Sequence, residues 1–83
     1  MPHFTVRYFA AAADAALCEA ETWELPAGST VGKLRDELIE RYGRPMDRVL
    51  QSGSFLVDGR VQRDSTTPLT GSMIDVLPAF AGG

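Results

Sequence analysis

The sequence predicts an α+β fold in which one main helix packs across a mixed sheet. Three observations carry this. Apolar residues alternate with polar ones near both ends of the chain, which marks strands. Between them, one segment carries a single apolar stripe at helical spacing. The order of segments is strands, then helix, then strands, which is the α+β pattern. With 83 residues the chain makes one domain. A domain of this size buries only roughly 60% of its unfolded surface, which gives one compact core and little material for a deep cleft.

Taken in order, residues 3–9 place Phe4, Val6 and Tyr8 on one side and His3, Thr5, Arg7 and Phe9 on the other, a strand with one face on a core. Residues 10–19 form an Ala-rich connector with weak helical leanings. Residues 21–25 alternate again, with Trp23 and Leu25 flanking Glu24, and Pro26-Ala27-Gly28 stops that second strand. Ser29 or Thr30 can then accept a hydrogen bond from a free backbone N–H as an N-cap. Val31, Leu34, Leu38 and Tyr42 recur at spacings of three and four, with Ile39 widening the stripe. Asp36, Glu37, Glu40 and Arg41 are expected to face water, with Glu37 pairing Arg41 one turn later for about 0.3 kcal/mol. Gly43 is expected in the left-handed conformation that ends helices. Pro45 opens a second short helix through Val49 and Leu50.

Residues 54–57 read as a third strand, Asp58-Gly59 as a two-residue hairpin turn, 60–63 as a short returning strand and 64–71 as a loop. Residues 73–77 form the last strand, with Ile74 and Val76 on the core side. Two strands, a helix and three further strands fit a β-grasp (ubiquitin-like) fold, in which the first and last strands pair in parallel at the centre. That pairing is a topological expectation, since periodicity does not supply it. The domain spans 1–77 and a tail spans 78–83.

Composition narrows the function. A net charge of −3 disfavours non-specific nucleic-acid binding and docking on an anionic membrane. The single cysteine, Cys18, cannot form an internal disulfide or supply the four thiolates of an iron–sulfur cluster. The first residues lack the long apolar run of a signal peptide, and no segment approaches the roughly 18 apolar residues of a membrane span. A reducing cytoplasm is the expected location. His3 stands alone, without metal or triad spacing. Asp58 reads as a turn residue, Trp23 as packing, and Arg60 and Arg63 as a solvated face.

The tail is the unusual segment. Pro78 cannot donate to a sheet ladder, so the sheet is expected to end there. Pro78-Ala79-Phe80-Ala81-Gly82-Gly83 has no charged side chain and one bulky group, Phe80. Fully extended it reaches roughly 20 Å. A terminal Gly-Gly has no Cβ, so its main chain can thread a slot closed to other residues. Its carboxylate, with a pKa of roughly 3.5, is ionised and unreactive until another enzyme activates it. Conversion to an acyl-AMP and displacement of AMP by a sulfur nucleophile would leave a thiocarboxylate at Gly83.

The chain resembles the small sulfur-carrier subunit of molybdopterin synthase, in the MoaD/ThiS family. Val6-Arg7-Tyr8-Phe9-Ala10 looks like that family's first strand. Leu25-Pro26-Ala27-Gly28-Ser29-Thr30-Val31 looks like its approach to the helix, and Phe55-Leu56-Val57-Asp58-Gly59 like its third strand and turn. Asp75-Val76-Leu77-Pro78-Ala79-Phe80-Ala81-Gly82-Gly83 looks like its last strand and tail. Ala79 stands where a second proline is frequent, and Phe80 is larger than the usual Val. The resemblance implies that a ubiquitin-activating-enzyme-like adenylyltransferase adenylates Gly83 and that a sulfurtransferase supplies sulfur. Phe80, Ala81 and Gly82 would insert with Gly83 into the large catalytic subunit of molybdopterin synthase, in a heterotetramer of two small and two large subunits. There the sulfur would pass to cyclic pyranopterin monophosphate. The chain would be a non-catalytic carrier with no bound cofactor.

By alternation, if Val6, Val57, Ile74 and Val76 face the helix, then Phe9, Leu56, Met73 and Leu77 face away. Outward apolar side chains on a sheet call for a cover, so Phe9, Leu77 and Phe80 are expected to pack on the large subunit, with Met73 and Leu56 on the same face. Three other functions fit the same features. They are a sulfur carrier for thiamine thiazole or cysteine, a protein modifier joined to lysines through Gly83, and a β-grasp interaction module with an irrelevant tail.

Overall fold

The computed structural model describes residues 3–69 and 73–79. Their elements run β1 His3–Tyr8, α1 Ala11–Ala16, β2 Ala20–Glu24, α2 Val31–Tyr42, α3 Arg44–Ser52, β3 Ser54–Val57, β4 Arg60–Gln62 and β5 Met73–Leu77. The strands form a sheet of order β2-β1-β5-β3-β4. β1 and β5 pair in parallel at its centre, and all other pairings are antiparallel. This is the β-grasp arrangement the segment order suggested.

The alternation is realised in the packing. Phe4, Val6, Tyr8, Trp23, Phe55, Val57, Ile74 and Val76 all turn inward and are buried. They meet Val31, Leu34 and Leu38 from α2 and Met46, Val49 and Leu50 from α3. Truncating a fully buried member such as Leu34 removes its contacts and leaves a cavity, which typically costs about 2–5 kcal/mol.

The connector after β1 folds further than expected. Residues 11–16 form a helix, with Ala12 and Ala16 buried one turn apart. Alanine has the highest helix propensity, and its methyl lets α1 approach α3 closely. The sequence hides this helix because an all-alanine face shows no contrast between apolar and polar sides.

α2 begins as expected, with Thr30 Oγ1 accepting from the Lys33 amide at 3.2 Å. Its first two amides find partners the sequence did not suggest. Val31 N–H donates to the Thr67 carbonyl and Gly32 N–H to that of Ser65, both at 2.9 Å. The loop after β4 thus straps the helix N-terminus and occupies donors that would otherwise attract an anion. Gly43 takes a positive φ of 76° but an extended ψ of −152°, not the left-handed helical region expected. The reason is that α3 starts at the next residue, so Gly43 must redirect the chain as well as end α2.

The Glu37–Arg41 pairing is not formed. Glu37 pairs instead with Lys33, one turn earlier, at 3.2 Å. Arg41 lies over the Trp23 ring, 4.1 Å from its centroid, and reaches Glu21 Oε1 at 3.4 Å. Stacking on an aromatic and pairing an acid from another element gives Arg41 more than one exposed partner on its own helix could.

Glu21 is the centre of that contact. Its carboxylate also accepts from the hydroxyls of Tyr8 and Tyr42, and Trp23 Nε1–H donates to Tyr8 at 3.1 Å. Burial pushes the Glu21 carboxyl upward, but the hydrogen bonds from Tyr42 and Tyr8 and the Arg41 charge outweigh it and hold it below the usual range. A depressed folded value means stability that is present above the ordinary glutamate pKa and lost as pH falls through the folded one. Glu21→Gln is therefore expected to cost about 1–2 kcal/mol at neutral pH. Urea unfolding at neutral pH and at about pH 3 should show the gap between wild type and variant closing in acid. A gap unchanged by pH would refute this role of the charge.

Candidate functional site

The candidate site is the outer face of the sheet and the point where the chain leaves it. Alternation along β5 sends Ile74 and Val76 into the core and Met73, Asp75 and Leu77 to the other side. The register then aligns Thr5 with Met73, Arg7 with Asp75, Leu56 with Asp75 and Ser54 with Leu77. Leu56, Met73 and Leu77 are each half-buried on this face. Phe9 follows the end of β1, is 39% exposed, and its amide donates to the Val76 carbonyl at 3.2 Å. The predicted outward residues Phe9, Leu56, Met73 and Leu77 therefore do share one face.

β5 ends at Leu77, as Pro78 requires, and Pro78 is half-buried while Ala79 is exposed. At this corner an open hollow of about 790 Å³ is lined by Phe9, Ala10, Val61, Leu77, Pro78 and Ala79, with Arg63 also at its wall. The last residues of the described chain thus help form the hollow beside the tail. Phe80, Ala81, Gly82 and Gly83, expected to insert and to be activated, lie outside the described residues.

Two features of the site were not anticipated. The first is Gly53, between α3 and β3. A Cβ there would run into the carbonyl oxygens of Leu77 and Val49, the latter at 2.7 Å, and come within 3.2 Å of Pro78 Cα. The root of the tail rests on the bare backbone of this glycine. Only the position of Gly53 just before a strand hinted at it, and nothing local named Leu77 as the neighbour.

The second is an ion pair in the middle of the outer face. Arg7 Nε–H and Nη2–H donate to the two oxygens of Asp75 at 2.6 and 2.8 Å. Asp75 is only 8% exposed although it lies on the side of the sheet away from the helices. The hydrogen bonds to Asp75, and then its charge, raise the Arg7 pKa further. Alternation placed both residues on this face, but only the β1–β5 register brings them together.

Among the described residues, the groups with shifted protonation are Arg7, Tyr8, Glu21, Tyr42 and Asp64, and none lines the hollow. Each is held in a bond within the domain. Among the described residues no three His, Cys, Asp or Glu side chains gather as a metal site, and no helix is long and apolar enough to cross a membrane. His3 Nε2–H donates to Glu24 Oε1 at 2.6 Å, a surface contact, and Cys18 is a half-buried free thiol. Asp58 and Gly59 both take positive φ, as a two-residue hairpin turn needs. The described part of the site offers surfaces and a tail root.

Comparisons with known proteins agree with this description. The ThiS family profile matches residues 6–83. A Pyrococcus furiosus protein assigned as molybdopterin converting factor subunit 1 superposes with a TM-score of 0.83 at 25% identity, covering 96% of this chain and 100% of that one. A Haloferax volcanii protein of known solution structure superposes at 0.79 with 21% identity, over 98% of this chain and 86% of its own. The H. volcanii small archaeal modifier protein 1 superposes at 0.75 with 16% identity, over 96% and 100%. The last two likenesses show the fold alone. No curated protein matches the sequence significantly.

Proposed function

Since the chain belongs to the ThiS family of ubiquitin-like sulfur carriers, we propose that it is the sulfur-carrier subunit of a molybdopterin synthase, working in the cytoplasm. The observation that carries the choice of pathway is its likeness over nearly the whole chain to the converting-factor subunit. In this reading the Gly83 carboxylate attacks the α-phosphate of ATP on an adenylyltransferase and releases pyrophosphate. A sulfur nucleophile delivered by a sulfurtransferase then displaces AMP, leaving the thiocarboxylate. The tail next enters the large catalytic subunit, where the sulfur passes to cyclic pyranopterin monophosphate.

The domain supplies no acid or base to these steps. Its part in this reading is to carry Gly83 to each enzyme and to present Phe9, Leu56, Met73 and Leu77 as a docking face. The break in the ladder at Pro78 and the apolar hollow at the same corner support this division of labour.

Expression in a strain that lacks its own molybdopterin-synthase small subunit tests the assignment. The chain is expected to restore molybdenum-cofactor-dependent nitrate reduction. Phe9→Glu is expected to abolish restoration while leaving the thermal transition in place, because a charge at the middle of an apolar contact is desolvated without a partner. Restoration of thiamine or cysteine synthesis instead would move the acceptor within the same chemistry. A Gly-Gly remnant on lysines of other proteins, without restoration, would make the chain a modifier.

A further inference from the structure

The outer face has a polar centre that an all-apolar docking surface would not need. Reading across the strands, the register sets Ala20, Arg7, Asp75, Leu56 and Val61 side by side. Leu56, the half-exposed Val61, Phe9 and Leu77 surround the Arg7–Asp75 pair with apolar surface.

The pair is fixed before any partner arrives. Both Asp75 oxygens are engaged, and the Arg7 guanidinium also lies 5.6 Å from the Phe9 ring centroid. Held from two directions, the guanidinium has little rotamer freedom left to lose on binding. Its side chain is nevertheless 46% exposed. A guanidinium has five N–H donors, and Asp75 takes two, so about three have no acceptor among the described residues and are left to solvent.

Those donors set a condition on whatever covers the face. A purely apolar partner surface would strip their water and return nothing, which is costly for a charged group. A partner carboxylate would accept from them in strong charge-assisted bonds. Charge around the hollow points the same way. Arg63 stands at its wall, so the face carries two arginines, Arg7 and Arg63, within a chain of net charge −3. Among the described residues, Glu19 shares a surface hollow with Arg7, Phe9 and Ala20, and His3 and Glu24 contact each other at the far end of the face. A second copy docked through the same face would set Arg7 against another Asp75 whose two oxygens are already taken, so the occupant is a different protein.

We propose that Arg7, positioned by Asp75, is the anchor of the docking face and selects a partner that sets an acidic side chain against it within an apolar surround. The inference rests on the reading of this face as the surface that meets the adenylyltransferase and the large subunit.

The test measures affinity for those two partners, purified from the same cell, by titration calorimetry at two salt concentrations. The variants are Arg7→Lys and the double replacement Arg7→Leu with Asp75→Leu. The double replacement removes both charges together and so leaves no orphaned ion in the sheet. It is expected to keep the thermal transition but to bind at least one partner about tenfold or more weakly, the loss typical of an interface anchor. Wild-type affinity should fall with added salt, and that dependence should shrink in the double variant. Arg7→Lys keeps the charge but not the fork, and should fall between the two. Equal or tighter binding by the folded double variant to both partners would overturn the inference and leave the carrier reading intact. Failure of the wild-type chain to bind either partner would overturn both. Should the double variant unfold, Arg7→Lys alone decides, and wild-type affinity from it refutes the proposal.

Discussion

Removing Gly83 alone is expected to reduce adenylate formation by at least about a hundredfold while leaving the domain as stable as before. Gly82 would still offer a carboxylate, so the chemistry of the group is unchanged. What changes is its position. One residue of extended chain spans roughly 3.4 Å, and a displacement of about 1 Å from the reacting geometry already costs on the order of a hundredfold. The folded body should not notice, because the sheet ends at Leu77. Changes away from packed or bonded features stay within about 0.5 kcal/mol. ATP–pyrophosphate exchange catalysed by the adenylyltransferase, alongside a urea titration, reads both quantities. Exchange at the wild-type rate would show that the reacting carboxylate is not at the end of this tail.

A methyl group at Gly53 is the second large effect. Gly53→Ala is expected to cost about 1–3 kcal/mol, as overpacking against unyielding atoms does. The atoms it meets are backbone: the Leu77 and Val49 carbonyl oxygens and Pro78 Cα. Val49 is fixed by the end of α3, whose last turn is closed by Gly53 N–H donating to that same carbonyl at 2.8 Å. The segment that can give is therefore Leu77-Pro78, the root of the tail. The variant should lower the urea midpoint and slow sulfur loading beyond what its unfolded fraction explains. A side-chain truncation of equal cost elsewhere, such as a core substitution in α2, should lower the midpoint without that slowing. Gly53→Ala with wild-type stability and loading would mean that the tail root is not seated on this glycine.

Much of the body was legible in the sequence because alternation and helical spacing are local signals. Val6, Ile74 and Val76 sit on the buried side and Phe9, Leu56, Met73 and Leu77 on the other, as counting by twos predicts. What escaped depends on neighbours distant in sequence. Arg41 was paired with Glu37 because only the helix's own spacing is visible in a sequence, whereas its actual contacts, Trp23 and Glu21, come from β2. Arg7 and Asp75 are 68 residues apart and meet only through the parallel register of β1 and β5. Gly53 seats the end of β5, a neighbour that no local pattern names. The site divides the same way. Its surface followed from periodicity, its ion pair and seat needed the fold, and Phe80, Ala81, Gly82 and Gly83 lie outside the described residues.

The central claim is that Gly83 carries sulfur. Intact-mass analysis of the C-terminal peptide, taken from protein purified from its own cell, tests it most directly. Replacement of one carboxylate oxygen by sulfur raises the mass by about 16 units, a gain that alkylation of the thioacid should trap at Gly83 by analogy with thiolate reactivity. A peptide that stays at the carboxylate mass when the adenylyltransferase, ATP and a sulfur source are all supplied would contradict the account.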